Sequence, residues 1–248
     1  MNVLLKIAYK GTRYSGFQYQ KNANSVANEI EKAITSITHE YIGVNGCSRT
    51  DKGVHALSYY LNFTMQKEIE IPKLIYGINA FLPLDIAVLD GKIVPNDFHA
   101  RYDAKEKTYI YKIFNSQTRN PFYEDAAYRY YTKLDIKAMQ KAAEKFIGCY
   151  DFKSFMSSGS EIKNTIRTVI NSSISVDGDM ITYEITADGY LYNMVRIIVG
   201  TLIKVGIGKI SPEEITDIIK ACDRTLAGPT APGCGLYLKN VIYDKVLL

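Results

Sequence analysis

Residues 190–206 read YLYNMVRIIVGTLIKVG, and this run constrains the fold more than any other part of the chain. It has the pattern of a nearly all-apolar helix ending near Gly206. A helix with so little polar face must be covered by other structure. It is still short of the ~18 apolar residues that a membrane span requires, as is every other apolar run here. Within it stands Arg196, the one charged residue between Asp188 and Lys204. A guanidinium is costly to bury alone. Two outcomes are open from the residues: Arg196 snorkels to the surface, or it meets a carboxylate from elsewhere in the fold.

The remaining elements mix strands and helices without strict alternation. Residues 3–9, VLLKIAY, read as a strand, and Ser25 is placed to cap a helix with Val26, Ile30, Ala33, Ile34 and Ile37 on one stripe. ALSYYLNFTM (56–65) is rich in β formers, Pro72 can open a helix through about Asn79, and DIAVLDGKIV (85–94) is extended with a turn expected at Asp90-Gly91. In the strand TYIYKIF, alternation places Tyr109, Tyr111 and Ile113 on one face. Asp135 can cap a helix with Ile136, Met139, Ala143, Phe146 and Ile147 buried, and a hairpin is expected to turn at Asp177-Gly178. Ser211-Pro212-Glu213-Glu214 is a capping box, and LYLKNVIY is a last strand. The expectation is an α+β chain of two α/β-type subdomains with largely antiparallel mixed sheets. The charged RYDAKEK stretch suggests a boundary, giving domains 1–104 and 105–248.

Composition excludes several classes. The four cysteines form no C-x-x-C pair and only three histidines are present, so no metal site is expected, and a disulfide framework is not expected at 248 residues. The opening MNVLLKIAYKG reads as a strand rather than a signal peptide, which points to the cytoplasm and away from a membrane. A net charge of +4 permits an anionic partner without demanding one. GIGK at 206–209 lacks phosphate-loop spacing, and neither a G-x-S-x-G elbow nor a G-x-G-x-x-G after a strand occurs.

The loop GCSRTDKGVHAL (46–57) sets Arg49 and Asp51 one residue apart between Gly46 and Gly53. Asp-Lys-Gly is ordinary turn chemistry. The same loop can also hold a carboxylate against another element, and Asp51 is then a candidate partner for Arg196. A carboxylate so paired stays ionised at neutral pH and can serve as nucleophile or base. Tyr109 is open to a core role or to stacking on a base.

Seven blocks in order carry a resemblance over essentially the whole chain. They are SRTDKGVHA (48–56), NAFLPLDI (79–86), FHAR (98–101), KTYIY (107–111), DFKSF (151–155), NMVRIIVGTLIKVG (193–206) and DRTLAGPTAPGCGLYL (223–238). Together they resemble the TruA family of tRNA pseudouridine synthases. The resemblance implies the pseudouridine synthase fold, with its two subdomains flanking a central active-site cleft. It also implies cofactor-free isomerisation of uridine to pseudouridine at positions 38–40 of the tRNA anticodon stem-loop, by a homodimer. Asp51 matches the family's essential aspartate, the nucleophile. Arg49 matches an arginine that helps displace the target nucleotide. Tyr109 matches the tyrosine that stacks on the target base and is implied to assist removal of the C5 proton. Arg196 matches the basic partner of the aspartate, and Leu236 an apolar pocket contact. Lys10, Arg13, Lys21, Arg101, Lys105 and Lys107 are candidates for RNA contacts. Ser48 stands where glycine is commoner in the family, and Phe17 where tryptophan is. Two alternatives share the scaffold: a catalytically silent RNA-binding or folding protein, and the same chemistry on another RNA such as ribosomal RNA.

Overall fold

A computed structural model describes residues 1–159 and 162–244. In chain order its elements are β1 (Asn2–Tyr9), α1 (Val26–Thr38), β2 (Asn45–Gly46), β3 (His55–Thr64), α2 (Ile71–Phe81), β4 (Ile86–Val94) and β5 (Ala104–Phe114). They continue with β6 (Tyr128–Arg129), α3 (Ile136–Glu144), β7 (Gly148–Asp151), β8 (Ile166–Asp177), β9 (Met180–Ala187), α4 (Met194–Gly206), α5 (Glu214–Ala221) and β10 (Leu236–Tyr243). The chain divides into two compact units, Met1–Lys105 with the segment from Tyr237 onward, and Glu106–Leu236.

In the first unit β1 lies between β4 and β3, antiparallel to both, and Val3, Leu4, Leu5 and Ile7 are fully buried. Burial of each such side chain stabilises the fold by about 1.5–3 kcal/mol. Helix α1 begins as its sequence predicts: Ser25 Oγ accepts from the Asn28 amide at 3.3 Å, and Val26, Ile30, Ala33 and Ile34 form the buried stripe. Helix α2 is tied to β4 by Asn79, whose amide oxygen accepts from Val88 N and whose amide nitrogen donates to Val88 O. The final strand belongs here. Tyr237 and Leu238 run parallel to His55 and Ala56, so the chain returns to the first unit instead of remaining in a domain of 105–248. Charge along RYDAKEK marks the outgoing crossing, but no composition change marks the return between Leu236 and Tyr237.

In the second unit β9 lies between β5 and β8, β7 pairs with the outer side of β8, and β6 runs parallel beside β5. Tyr109, Tyr111 and Ile113 oppose Ile185, Tyr183 and Ile181 across the β5–β9 ladder, and all six are buried. Helix α3 is fixed over this sheet by Ser172, whose hydroxyl donates to Ala143 O at 2.7 Å. Helix α4 begins at Met194, four residues into the expected run, because Asn193 before it is left-handed; every residue of α4 is buried except Arg196 and Lys204, while Tyr192 ahead of it is exposed. The architecture is α+β, with mostly antiparallel pairing in each unit.

Three further local expectations need correction. Asp90-Gly91 is no turn. Strand β4 runs through it, with Lys6 paired to Asp90 and Ile7 to Val88, so Leu89 is the extra residue of a bulge. Gly91 serves close packing instead, because a Cβ there would stand 2.6 Å from Leu5 Cδ2. The hairpin turns one residue later than expected: Asp177 pairs with Met180, leaving Gly178-Asp179 as the loop, with Gly178 at φ 56°. Helix α3 ends at Glu144, so Phe146 is buried beyond it while Ile147 is exposed just before β7.

Candidate active site

The loop between β2 and β3 is clamped at Thr50. Its hydroxyl lies 2.8 Å from Tyr9 Oη in a buried hydrogen bond, and its carbonyl accepts from Phe17 N at 3.3 Å. Gly16 makes the second contact possible: it adopts φ 103°, and a Cβ there would collide with Thr50 O. Gly53 N donates to Tyr14 O, and Val54 N to Asp51 O, which closes the turn. Just beyond, His55 Nδ1 accepts from Gly11 N at 3.1 Å, so that nitrogen carries no proton, and the ring stacks on Tyr237 with centroids 4.5 Å apart. With Thr50 held, the flanking Arg49 is exposed and Asp51 half-buried. Neighbouring positions thus point a cation outward and keep a carboxylate partly shielded.

The expected RNA-contact residues of this unit differ in their surroundings. Lys10, Lys21 and Arg101 are exposed, the last with its guanidinium 5.8 Å from the centre of the Tyr102 ring. Arg13 pairs with Asp85 at 2.7 Å, and Tyr14 donates to the other Asp85 oxygen at 2.7 Å. Burial pushes the Asp85 carboxyl upward, but the Arg13 and Tyr14 hydrogen bonds and the Arg13 charge outweigh it and hold the group below the usual carboxylate range. Lys105 pairs with Asp244 at 3.3 Å.

In the second unit Arg196 is half-buried and neither snorkels freely nor stands alone. Its Nε donates to Ala231 O at 2.7 Å, and one terminal nitrogen donates to Asn193 Oδ1 at 2.8 Å. Asn193 is held in turn, donating to Ser157 Oγ at 2.9 Å from a left-handed backbone at φ 61°. The next residue of the loop, Pro232, accepts from Tyr111 Oη at 2.8 Å. Burial pushes the Tyr111 phenol well above its ordinary range, so it remains a neutral donor. The 231–236 segment is therefore tied both to α4 at Arg196 and to β5 at Tyr111, and it ends on the buried Leu236. Tyr109, two residues before Tyr111, is buried with its ring edge-on to Tyr190 at 5.0 Å and 85°. Tyr190 donates its hydroxyl toward Lys107 O and Ile185 O, which fixes the ring that Tyr109 rests on. Lys107 is half-buried.

Tyr9, Asn193 and Tyr190, which hold these groups, are not singled out by the sequence, and the two tyrosines are among 20 with little to tell them apart. Among the described residues no group of three or more His, Cys, Asp or Glu side chains is placed to hold a metal ion, and no helix is long and apolar enough to cross a membrane.

A family model described as tRNA pseudouridine synthase matches residues 6–103 and 142–244, which include the Asp51 loop and all of α4. The class is that of an isomerase. The chain belongs to the TruA family of tRNA pseudouridine synthases. It is 47% identical over 242 residues to tRNA pseudouridine synthase A of Caldicellulosiruptor bescii, covering 98% of this chain and 99% of the relative. The enzyme of the same name from Thermoanaerobacter sp. is 48% identical at the same coverage. tRNA pseudouridine synthase A 2 of Clostridium tetani is 44% identical over 245 residues, covering 98% of this chain and 99% of that one.

Proposed function

We propose that this enzyme isomerises uridine to pseudouridine at positions 38–40 in the anticodon stem-loop of tRNA, with Asp51 as its nucleophile. The observation that carries the reading is the RTDKGVHA loop, which keeps Asp51 half-buried beside a residue clamped through both side chain and backbone, in a chain of this family. A uridine within a stem must leave the stack before its C1′ can be reached, at a cost of a few kcal/mol. Arg49, exposed on the same loop, is assigned to the vacated space. Tyr109 is assigned to the face of the uracil, Leu236 to an apolar contact, and Arg196 to partnering the Asp51 carboxylate.

The reaction is an internal rearrangement. The C1′–N1 bond breaks, a C1′–C5 bond forms, and one proton leaves C5 while another arrives at N1. No atom or electron is gained overall, so the balance calls for no redox cofactor. Asp51 supplies the carboxylate that opens this sequence, and Tyr109 assists removal of the C5 proton. The same reading makes the protein a cytoplasmic homodimer that holds tRNA with Lys10, Lys21, Arg101 and Lys107, while Arg13 and Lys105 contribute less because Asp85 and Asp244 already match their charges. Pseudouridine mapping on total RNA from a deletion strain and its complement tests the proposal. Loss and return of pseudouridine at tRNA positions 38–40 is the expected result. Changes confined to ribosomal RNA would reassign the substrate.

A further inference from the structure

Beneath the Asp51 loop lies a cluster of three aromatic rings, none of which belongs to the set assigned above. Phe17 stacks on Tyr59 at 4.2 Å and 24°, and Tyr9 packs against both, at 6.4 Å from Phe17 and 5.6 Å from Tyr59. All three are buried, Tyr59 completely. The two phenols of the cluster reach the loop on either side of Arg49. Tyr59 Oη donates to the carbonyl of Ser48 and receives a longer contact from its amide at 3.4 Å, while Tyr9 Oη shares its hydrogen bond with Thr50 Oγ1.

We infer that Tyr9 and Tyr59 are positioning residues for the isomerisation, holding the Ser48–Asp51 segment at the height and angle from which Asp51 reaches the flipped uridine. This rests on the assignment of Asp51 as nucleophile. The geometry supports it in three ways. The two bonds fall on residues 48 and 50, so the segment entering Asp51 cannot pivot about either. Both are made by ring-borne hydroxyls, which have few torsions and little freedom to follow a moving loop. The rings themselves are braced by one another and by β1 and β3, so displacement of the loop must break a hydrogen bond rather than bend a side chain. The two departures from the family pattern meet here: Phe17 is the ring stacked on Tyr59, and Ser48 is the residue whose backbone Tyr59 holds.

Tyr9→Phe and Tyr59→Phe each remove one oxygen and keep the ring. Each is expected to lower kcat for tRNA about tenfold, as a small misplacement of a reacting group does, while KM stays within about twofold. Amides of residues 48–53 are expected to exchange faster with solvent in both variants. Tyr183→Phe is the control, since it removes a buried phenol that bonds Ser172 in the second unit, and it is expected to lose thermal stability but not kcat. Wild-type kcat in both loop variants overturns the inference, as does an equal loss of kcat in Tyr183→Phe. If wild-type enzyme forms no pseudouridine in tRNA, the nucleophile reading fails instead. Loop exchange then decides the clamp, and unchanged exchange in both variants overturns it.

Discussion

Arg196 and Ala231 exchange two hydrogen bonds: the arginine Nε donates to Ala231 O at 2.7 Å, and the arginine carbonyl accepts from Ala231 N at 3.0 Å. A residue that looked in sequence like an isolated cation on an apolar helix is thus fastened through its side chain and its backbone to one loop residue. That loop continues to Pro232, which Tyr111 holds, and to Leu236.

Arg196→Lys tests whether charge alone is enough. Lysine keeps the charge but has no planar fork to reach Ala231 O and Asn193 Oδ1 together. The expected result is a stability loss of about 1–3 kcal/mol in urea unfolding, because a part-buried acceptor is left unpaired. Turnover should fall as well. Wild-type stability and activity in this variant would mean that the fork is not required.

Gly200→Ala should act against helix propensity. In an open helix alanine is better than glycine by about 1 kcal/mol. Here a Cβ at residue 200 would run into the carbonyl of Pro229, and Gly228 N donates to Thr201 Oγ1 at 2.7 Å in the same close contact. Overpacking of this kind predicts a net loss of about 3 kcal/mol by urea unfolding. A variant more stable than wild type would show that the loop can move away without cost.

Asp85 gives a pH dependence of known sign. Its carboxyl is held below the usual range in the folded protein, so it contributes stability above the unfolded pKa of about 4, and that contribution is lost as the pH falls through the folded value. Asp85→Asn should therefore be less stable than wild type at neutral pH, with the gap closing under acid conditions. Urea midpoints at neutral and acid pH measure this directly. A gap equally wide at both would contradict the assignment.

Tyr109→Phe separates stacking from proton transfer. The ring and its edge-on contact with Tyr190 remain, so tRNA affinity is expected to hold. Loss of the phenol should lower kcat by about 100-fold or more if it takes part in removing the C5 proton. Unchanged kcat would limit Tyr109 to stacking.

Elements governed by local chemistry were legible in the sequence. Ser25 and Asp135 accept from the amides three residues on, as their positions before apolar stripes predict, and Ser211 and Glu214 form the reciprocal capping box. What failed depends on partners distant in the chain. Asp90-Gly91 has the composition of a turn, yet the ladder with β1 carries the strand straight through it. Ile147 follows the helical stripe, but the chain has already left α3. The site divides the same way. Arg49, Tyr109 and Leu236 stand out because family motifs name them, and Asp51 and Arg196 also because of their charge and setting. Tyr9, Tyr59 and Tyr190 do not, because a tyrosine at a strand end, in a strand or at the head of an apolar run reads as core until its hydroxyl is seen to meet Thr50, Ser48 or Ile185.

The central claim is that Asp51 performs the chemistry. The most direct measurement is pseudouridine formation at positions 38–40 of tRNA by Asp51→Asn, a near-isosteric change on a loop held at its neighbours. The account predicts that this variant binds tRNA with wild-type affinity, unfolds at the wild-type temperature, and forms no pseudouridine. Conversion at the wild-type rate would contradict it.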